Sequence, residues 1–503
     1  MYYNGLYSPS PARLGVSTHL HRVLIIAAVP RLFKSFPVLW ALISVGATGA
    51  ELPAPVLQAL RDARVPQASV SIVVQEVGAR RPSFALNAAA SRNPGSVMKL
   101  VTTYAALELL GPAYRWKTEA YRDGDELYLK GYGDPKLNYE SFWLLLRNLR
   151  GRGLRELRGD IVLDRSHFGP VSPDLIDDEV FRPYNVTPDA LLVNFKSLRF
   201  VFYPEDGKVR LFVEPNLPGL EVVNALRLSD GACPEGRAFR ELMQASFQPK
   251  PPRAAFTGFY PVICGERDLN VALHQPEDYV AGMIRALWTE MGGTWSGRIR
   301  EGAVPPNAKL LYTHESEPLA GIVRDINKFS NNVMARQLYL TLAAEMGGAP
   351  AQPDSAARAI AQWMVFKGIN SDGLKVENGS GLSRNERASA AMLMALLQAA
   401  WKSPVMPEFM ASLPVVAADG TMRKRLHFEG ISGNAHIKTG LLADTRAIGG
   451  YVLDRSGRRH AVVMIANHPN APHAEAAFDA LLQWIRSRGP ARGGPRDASP
   501  RRP

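Results

Sequence analysis

The sequence predicts a mixed α/β (α+β) fold in which a β-rich region is inserted into an α/β framework. Helix and strand patterns occur near both ends of the chain, whereas short strand-like segments dominate the middle. Of 503 residues, 46% are hydrophobic, 21% are charged and only two are cysteines. These fractions are ordinary for globular proteins, so they exclude a wholly disordered, collagen-like or disulfide-scaffold chain.

The N-terminal part of the framework begins with a predicted helix over residues 55–64. An alternating β-branched strand over 68–77 follows, with residues 83–87 as its hairpin partner. Pro94-Gly95 then breaks the chain before a strong helical pattern over 96–110. Its apolar positions predict a buried or mostly buried helix.

From about residue 116 to about residue 270, short strand-like runs alternate with turn residues. We predict strands at 126–130, 160–164, 209–213 and 221–229. Helical patterns return afterwards, at 276–291, 319–326, 331–344 and 355–367. The chain then shows strands at 435–438, 446–453 and 460–466, and a last helix at 474–486. These patterns predict one α/β domain, formed by residues 51–118 and 301–485, and a β-rich inserted region at 119–300.

The net charge of +12 is concentrated at the ends of the chain. The first 50 residues contain four basic and no acidic residues, and residues 486–503 contain six arginines against one aspartate, so +3 remains for the rest. A nearly neutral centre does not favour nucleic-acid binding. The tail, rich in Pro and Gly, is predicted to be disordered, with weak or no membrane association.

Residues 1–50 are predicted to form a signal peptide region. Arg31 and Lys34 precede a short apolar run over 36–45, and small residues at 47–50 would allow cleavage before Glu51. The alternative is one interrupted membrane anchor, but neither apolar run approaches the roughly 20 residues that span a bilayer. We therefore expect export to the periplasm.

Cys233 and Cys264 are the two cysteines of the chain. In an exported protein such a pair is expected to form a disulfide, and two buried free thiols are the alternative. Two cysteines cannot form a closed four-ligand zinc site, and the histidines show no ligand spacing. The sequence also lacks phosphate-binding glycine loops, so it predicts no metal and no cofactor.

The first candidate catalytic motif is Ser96-Val-Met-Lys99, at the first turn of the predicted helix. Residues three apart share a helix face, so the two side chains can meet. A serine hydroxyl becomes a good nucleophile when a neighbouring base takes its proton, and a lysine with a depressed pKa can be that base. A helix cap and a solvated lysine are the alternatives, although Leu100 and Val101 are apolar neighbours.

Two further motifs follow in the chain. Ser330-Asn-Asn332 opens the helical pattern at 331–344, where simple helix capping is the alternative interpretation. Lys438-Thr439-Gly440 is placed at the end of a strand, on a sheet edge to which an extended peptide could add as a further strand. Lys438 alone could be an ordinary strand-end charge. Each motif is weak individually, and their order gives them meaning.

Together the motifs resemble those of the penicillin-binding protein and serine β-lactamase superfamily. More specifically, the chain resembles the exported D-alanyl-D-alanine carboxypeptidase/endopeptidase family, the class C low-molecular-mass penicillin-binding proteins. The 234 positions from Ser96 to Ser330 leave room for the insertion that this family has there. The resemblance covers roughly residues 52–485 and includes the segments 129–135, 159–164 with Phe168, 184–194, 378–384 and 419–423.

The resemblance implies a transpeptidase-like catalytic domain and a role for each motif. Ser96 would be the acylated nucleophile and Lys99 its general base. Ser330 and Asn332 would relay a proton and hold the substrate peptide group. Lys438 and Thr439 would bind the terminal carboxylate, and the backbone N–H groups of Ser96 and Leu441 would bind the oxyanion. Gly440 belongs to the same substrate-binding segment. The substrates would be peptidoglycan stem peptides, and β-lactam antibiotics would be covalent inhibitors.

Two more residues match family positions that contact the diaminopimelate side chain: Asp164 and Arg384. A turn aspartate and a loop arginine are the alternatives. Three positions depart from the family pattern. Leu441 replaces the usual Ser or Thr, Arg336 replaces an acidic residue, and Asn378 replaces a common Asp.

Three rival functions remain open from sequence. A β-lactamase would need a second base to activate the deacylating water, and no such motif is visible. A wall-binding or scaffold protein would have a vestigial site that does not react with penicillin. A cationic nucleic-acid-binding protein would bind DNA even without residues 486–503.

Overall fold

The structure, a computed structural model, describes residues 51–172, 179–427 and 430–489. The predicted signal peptide region at 1–50 and residues 490–503 of the predicted tail lie outside the described residues. Arg486, where the predicted tail begins, is the last residue of a helix.

The described helices, in chain order, are α1 (Ala54–Asp62), α2 (Lys99–Leu109), α3 (Tyr139–Gly151), α4 (Gly236–Leu242), α5 (Pro276–Glu290), α6 (Leu319–Lys328), α7 (Asn332–Gly347), α8 (Pro353–Phe366), α9 (Ala390–Trp401), α10 (Met406–Ser412) and α11 (Glu475–Arg486). No helix among them is long and apolar enough to cross a membrane.

The described strands are β1 (Val70–Glu76), β2 (Phe84–Leu86), β3 (Ser91–Arg92), β4 (Lys117–Asp123), β5 (Glu126–Gly131), β6 (Glu156–Leu157), β7 (Ile161–Asp164), β8 (Leu198–Glu205), β9 (Lys208–Glu214), β10 (Glu221–Asn224), β11 (Arg227–Ser229), β12 (Ala245–Pro249), β13 (Pro252–Phe256), β14 (Phe259–Pro261), β15 (Arg267–Val271), β16 (Thr294–Trp295), β17 (Ile299–Glu301), β18 (Lys309–Glu315), β19 (Ala388–Ser389), β20 (Ala435–Leu442), β21 (Thr445–Leu453) and β22 (Arg459–Asn467).

A five-stranded antiparallel sheet, in the order β2-β1-β22-β21-β20, joins the two ends of the described chain. Side chains alternate between its faces. On β22, Val463 and Ile465 belong to the hydrophobic cluster that includes buried residues of α2 and α6 to α10, whereas Val462 and Met464 belong to the cluster that includes α1 and α11. Both faces are therefore covered by helices, which explains why strands β1, β21 and β22 are almost wholly buried.

Residues 120–288 contain a separate hydrophobic cluster, built around the sheet β17-β7-β5-β4-β18 and the smaller sheet β15-β8-β9. Strand β18 lies beyond residue 300 and pairs with β4. The boundaries of the inserted region stay a prediction. Cys233 and Cys264 form a disulfide in this part of the chain, as predicted, with their Cα atoms 5.1 Å apart.

Most predicted elements are present, and the α/β fold class is confirmed, with several local differences. Helices α9 and α10 lie in a segment for which no element is predicted. The predicted strand over 221–229 is two strands, β10 and β11, which pair in parallel with β13 and β14. Helix α3 lies in the stretch predicted to be strand-rich. The prediction that Lys438-Thr439-Gly440 ends a strand is wrong, because β20 continues to Leu442 before it turns into β21.

Candidate active site

Ser96 lies in a single 3-10 turn, Gly95–Met98, directly before α2. This turn packs against the edge strand β20, as a Cβ atom added to Gly440 would lie only 3.0 Å from the Ser96 nitrogen. Glycine at 440 thus allows the backbone of β20 to approach the turn. The prediction that Lys438-Thr439-Gly440 lies on a sheet edge is confirmed, since β20 is an outer strand.

Lys99, the first residue of α2, is fully buried beside Ser96. Its Nζ donates to Ser96 Oγ at 3.1 Å and to Asn332 Oδ1 at 2.5 Å, and it also donates to the carbonyl of Ser380. Burial lowers the Lys99 pKa to about 7, although the negative charge of Glu386 opposes this shift. A substantial fraction of Lys99 is therefore a neutral amine near pH 7.

The start of helix α7 positions Asn332 beside Lys99, and Ser330 lies just before this helix. Asn331 caps this helix, because its side chain accepts a hydrogen bond from the Met334 N–H, and Ser330 precedes it with φ +55°. The Asn332 side chain accepts from Lys99 as described above. Within the second motif, only Asn331 caps the helix. Its neighbours Ser330 and Asn332 contact Lys438 and Lys99 instead, so the motif does more than cap a helix.

Lys438 is the second buried lysine of the site. Its Nζ donates to Ser330 Oγ at 2.8 Å and to the carbonyl of Thr439 at 2.6 Å. Burial lowers the Lys438 pKa well below its ordinary value, and repulsion by Lys99 lowers it further. Each buried lysine therefore contacts one serine hydroxyl.

The exposed edge of β20 forms one wall of an adjoining cleft. The Thr439 hydroxyl lies 2.8 Å from the hydroxyl of Thr421, and the Leu441 side chain is 58% exposed. The cleft has a volume of about 320 Å³ and is lined by Tyr184, Asn332, Leu382, Arg384 and residues 441–444.

The two candidate contacts for diaminopimelate lie in different places. Arg384 lines the cleft with Asn332 and Leu441. Asp164, in contrast, is buried, and its carboxylate accepts hydrogen bonds from the Ser166 N–H and hydroxyl and from the Val304 N–H. It lines a separate cavity of about 620 Å³. The structure does not bring Asp164 to the cleft, and its role in substrate binding stays a prediction.

Three contacts of the site were not predicted: those of the Ser380 carbonyl, Thr421 and Glu386. Ser380 and Thr421 lie in segments that resemble family motifs, but sequence alone does not show that a backbone carbonyl faces Lys99. Glu386 belongs to no motif. In the part of the chain that the structure describes, no group of His, Cys, Asp and Glu side chains could hold a metal ion.

Solved structures identify the class of fold. The chain superimposes on penicillin-binding protein 4 (dacB) from Haemophilus influenzae with a TM-score of 0.69 at 20% identity, covering 86% of this chain and 99% of that protein. A second structure of that protein, complexed with a β-lactam, gives a TM-score of 0.66 over the same shares at 20% identity. The chain therefore has the fold of a penicillin-binding protein, as predicted.

Sequence comparison then gives the family. A D-alanyl-D-alanine carboxypeptidase from an Actinomadura species is 27% identical over 463 residues, which cover 87% of this chain and 84% of the relative. The model of the D-Ala-D-Ala carboxypeptidase 3 (S13) family matches residues 52–487. The chain belongs to this family and is a serine-type D-Ala-D-Ala carboxypeptidase, which confirms the predicted enzyme class.

Proposed function

We propose that the chain hydrolyses the terminal D-alanyl-D-alanine bond of peptidoglycan stem peptides through an acyl-enzyme on Ser96. The observation that supports this most strongly is the pair of lysine–serine contacts, Lys99 with Ser96 and Lys438 with Ser330, together with the contact of Lys99 with Asn332. These groups supply a nucleophile, a base and a proton route to a leaving group.

Acylation begins with Lys99 as a neutral amine. Its Nζ takes the proton of Ser96 as Oγ bonds to the carbonyl carbon of the penultimate D-alanine, which gives a tetrahedral oxyanion. The N–H groups of Ser96 and Leu441 would stabilise this oxyanion. In support, a Cβ atom added to Gly95 would lie 3.5 Å from the Leu441 nitrogen, so the two donors belong to adjoining backbone.

Breakdown of the intermediate releases the terminal D-alanine. The C–N bond breaks, and a proton passes from Lys99 through Ser330 to the departing amine, while Asn332 holds the peptide group. Lys438 and Thr439 would bind the substrate carboxylate, with Lys438 orienting the Ser330 hydroxyl through their 2.8 Å contact. Water then hydrolyses the ester and restores Ser96.

We extend the proposal to D,D-endopeptidase activity, because a cross-linked peptide and a terminal D-alanine differ only in the leaving amine. β-Lactams would acylate the same serine and leave slowly, so the protein would bind penicillin as a covalent inhibitor. A cleft lined by Arg384 suits a carboxylate on the substrate side chain. Asp164, the last residue of β7, lines a separate cavity, so the geometry gives no support to a contact with the same carboxylate.

We further propose that the enzyme acts in the periplasm after export through its N-terminal segment. Peptidoglycan is the expected partner there, and the nearly neutral charge of residues 51–485 gives no support to a nucleic-acid partner.

Mass spectrometry of muropeptides after digestion tests the proposal. The chain is expected to remove terminal D-alanine and to split cross-links, and a Ser96→Ala variant with an unchanged melting temperature is expected to do neither. Release of D-alanine by that variant would reject Ser96 as the nucleophile. Rapid turnover of nitrocefin would favour a β-lactamase instead.

A further inference from the structure

A third buried ionisable side chain lies near the two lysines and has no role in the mechanism above. Glu386 is completely buried, in the segment that follows the turn Asn378–Ser383. A buried carboxylate is costly unless hydrogen bonds or an opposite charge compensate for its lost hydration. The surroundings of Glu386 supply both.

One oxygen of Glu386 fixes the turn. Its Oε1 accepts hydrogen bonds from three consecutive backbone N–H groups, those of Glu377, Asn378 and Gly379, at 3.2, 3.1 and 3.1 Å. The next residue, Ser380, presents its carbonyl to the Lys99 ammonium. The carboxylate therefore holds the backbone that in turn holds the base.

The turn also packs tightly against the nucleophile. A Cβ atom added to Gly381 would lie 2.0 Å from the Gly95 carbonyl oxygen and 2.7 Å from the Ser96 nitrogen. The Gly379 carbonyl accepts a hydrogen bond from the Thr102 hydroxyl, one helical turn beyond Lys99. The turn that Glu386 holds therefore contacts both the backbone of Ser96 and the helix that begins at Lys99.

The second oxygen of Glu386 has a different environment. Its Oε2 is buried and has no hydrogen-bond partner among the described residues. Its charge interacts favourably with Lys99, whereas the charge of Lys438 repels Lys99. Burial raises the pKa of Glu386 itself to about 7, against the three N–H bonds and the charge of Lys99, so the carboxylate is charged mainly above that pH. Among the described residues, the site thus places one buried carboxylate against two buried amines.

We propose that Glu386 is a positioning residue that holds Lys99 against Ser96 through the turn at residues 378–383. Its negative charge also stabilises the ammonium that forms when Lys99 takes the serine proton. This inference rests on the proposed function of Ser96 and Lys99. The transferred proton moves from Ser96 Oγ to Lys99 Nζ, and the charge that appears on Lys99 interacts favourably with the Glu386 carboxylate. The carboxylate itself takes no proton in this step.

Residue 378 independently supports Glu386 as the source of the negative charge that acts on Lys99. Asn378 is uncharged, and its Oδ1 is already used to accept from the Ser380 N–H and hydroxyl. The other acidic side chain next to this turn, Glu377, is only half-buried and accepts a hydrogen bond from Ser383. Of the acids in residues 377–386, Glu386 is therefore the one buried near Lys99.

Glu386→Gln separates charge from shape, because the amide oxygen can still accept the three N–H bonds. The pH dependence of acylation by a fluorescent penicillin is measured for the unchanged full chain and the variant. Loss of the negative charge lowers the proton affinity of Lys99, so the acid limb of the profile is expected to move down by about one pH unit, with a lower plateau. An acid limb at the unchanged pH would overturn the inference.

Glu386→Asp is the matched control that keeps the charge. Its acid limb is expected to coincide with that of the unchanged chain although the plateau falls, and a downward shift would contradict the inference even if the Gln variant did not fold. The outcomes also separate the two proposals. If the unchanged chain is not acylated at Ser96, the proposed function fails, whereas normal acylation with identical profiles rejects Glu386 alone.

Discussion

Lys438 Nζ lies 2.8 Å from Ser330 Oγ, although the two residues are 108 positions apart in the chain. The contact joins the edge strand β20 to the loop before α7. A buried ammonium beside a hydroxyl orients its lone pairs and leaves its hydrogen free to point elsewhere. In the proposed mechanism this orientation allows Ser330 to pass a proton to the leaving amine.

Removal of that hydroxyl should impair proton transfer more than folding. In Ser330→Ala we expect the release of D-alanine to slow by about 10²-fold or more, the range for loss of a proton-transfer group. Steady-state kinetics on a D-Ala-D-Ala peptide measures this effect. Ser355→Ala, which removes a serine hydroxyl on α8 that contacts Arg358 outside the site, is the control, and an equal loss there would argue against a specific role of Ser330.

The base itself gives a larger expected effect. Lys99→Ala should slow acylation by several orders of magnitude, because Ser96 would lose its proton acceptor while the surrounding apolar packing of α2 remains. Stopped-flow acylation with fluorescent penicillin measures the rate, and thermal unfolding checks the fold. Near-normal acylation would mean that another group is the base.

The pKa of Lys99 sets a pH dependence. Burial lowers it to about 7, and only the neutral amine can accept the serine proton. The acylation rate is therefore expected to be at its maximum above pH 7 and to fall about tenfold for each pH unit below it. A rate that stays constant down to pH 5 in a folded protein would contradict this assignment.

The close approach of β20 to the Ser96 turn can be tested with one methyl group. In Gly440→Ala the new Cβ would lie 2.7 Å from the Pro94 carbonyl oxygen and 3.0 Å from the Ser96 nitrogen. We expect slower acylation and a lower melting temperature. Gly151→Ala is the control, since its new Cβ would lie 3.5 Å from the flexible Arg147 guanidinium, and it should change neither property.

The disulfide should affect stability without affecting chemistry. Cys233 and Cys264 are 31 positions apart and lie with the hydrophobic cluster of residues 120–288. The double change to serine is expected to destabilise the protein by about 2–4 kcal/mol. Thermal unfolding and penicillin acylation are measured on the same variant. A large fall in the acylation rate at a temperature where the variant is folded would show that the disulfide also affects the active site.

The sequence could predict the motifs because each is local. Ser96 and Lys99 share one helical turn, and Lys438 lies in an apolar strand whose pattern is clear. The motifs are brought together by packing between segments that are distant in the chain, and no local sequence pattern predicts that packing. The resemblance to a family supplied that information, while the contacts of Ser380 and Glu386 depend on a turn whose path only the structure shows.

The missed helices have different physical causes. Gln398 is the only polar residue of α9, so this buried helix shows no amphipathic period. Helix α3 does have one, with Phe142, Leu145 and Leu149 buried on one face, but short strands surround it on both sides. The strand end at residue 440 was misplaced because glycine often breaks strands, whereas here it permits close backbone packing.

The most direct test of the central claim is to locate the acyl group. After reaction with fluorescent penicillin and proteolysis, mass spectrometry is expected to find the adduct on Ser96, and Ser96→Ala should give no adduct while its melting temperature is retained. An adduct on another residue, or labelling of the Ser96→Ala variant at the unchanged rate, would contradict the account.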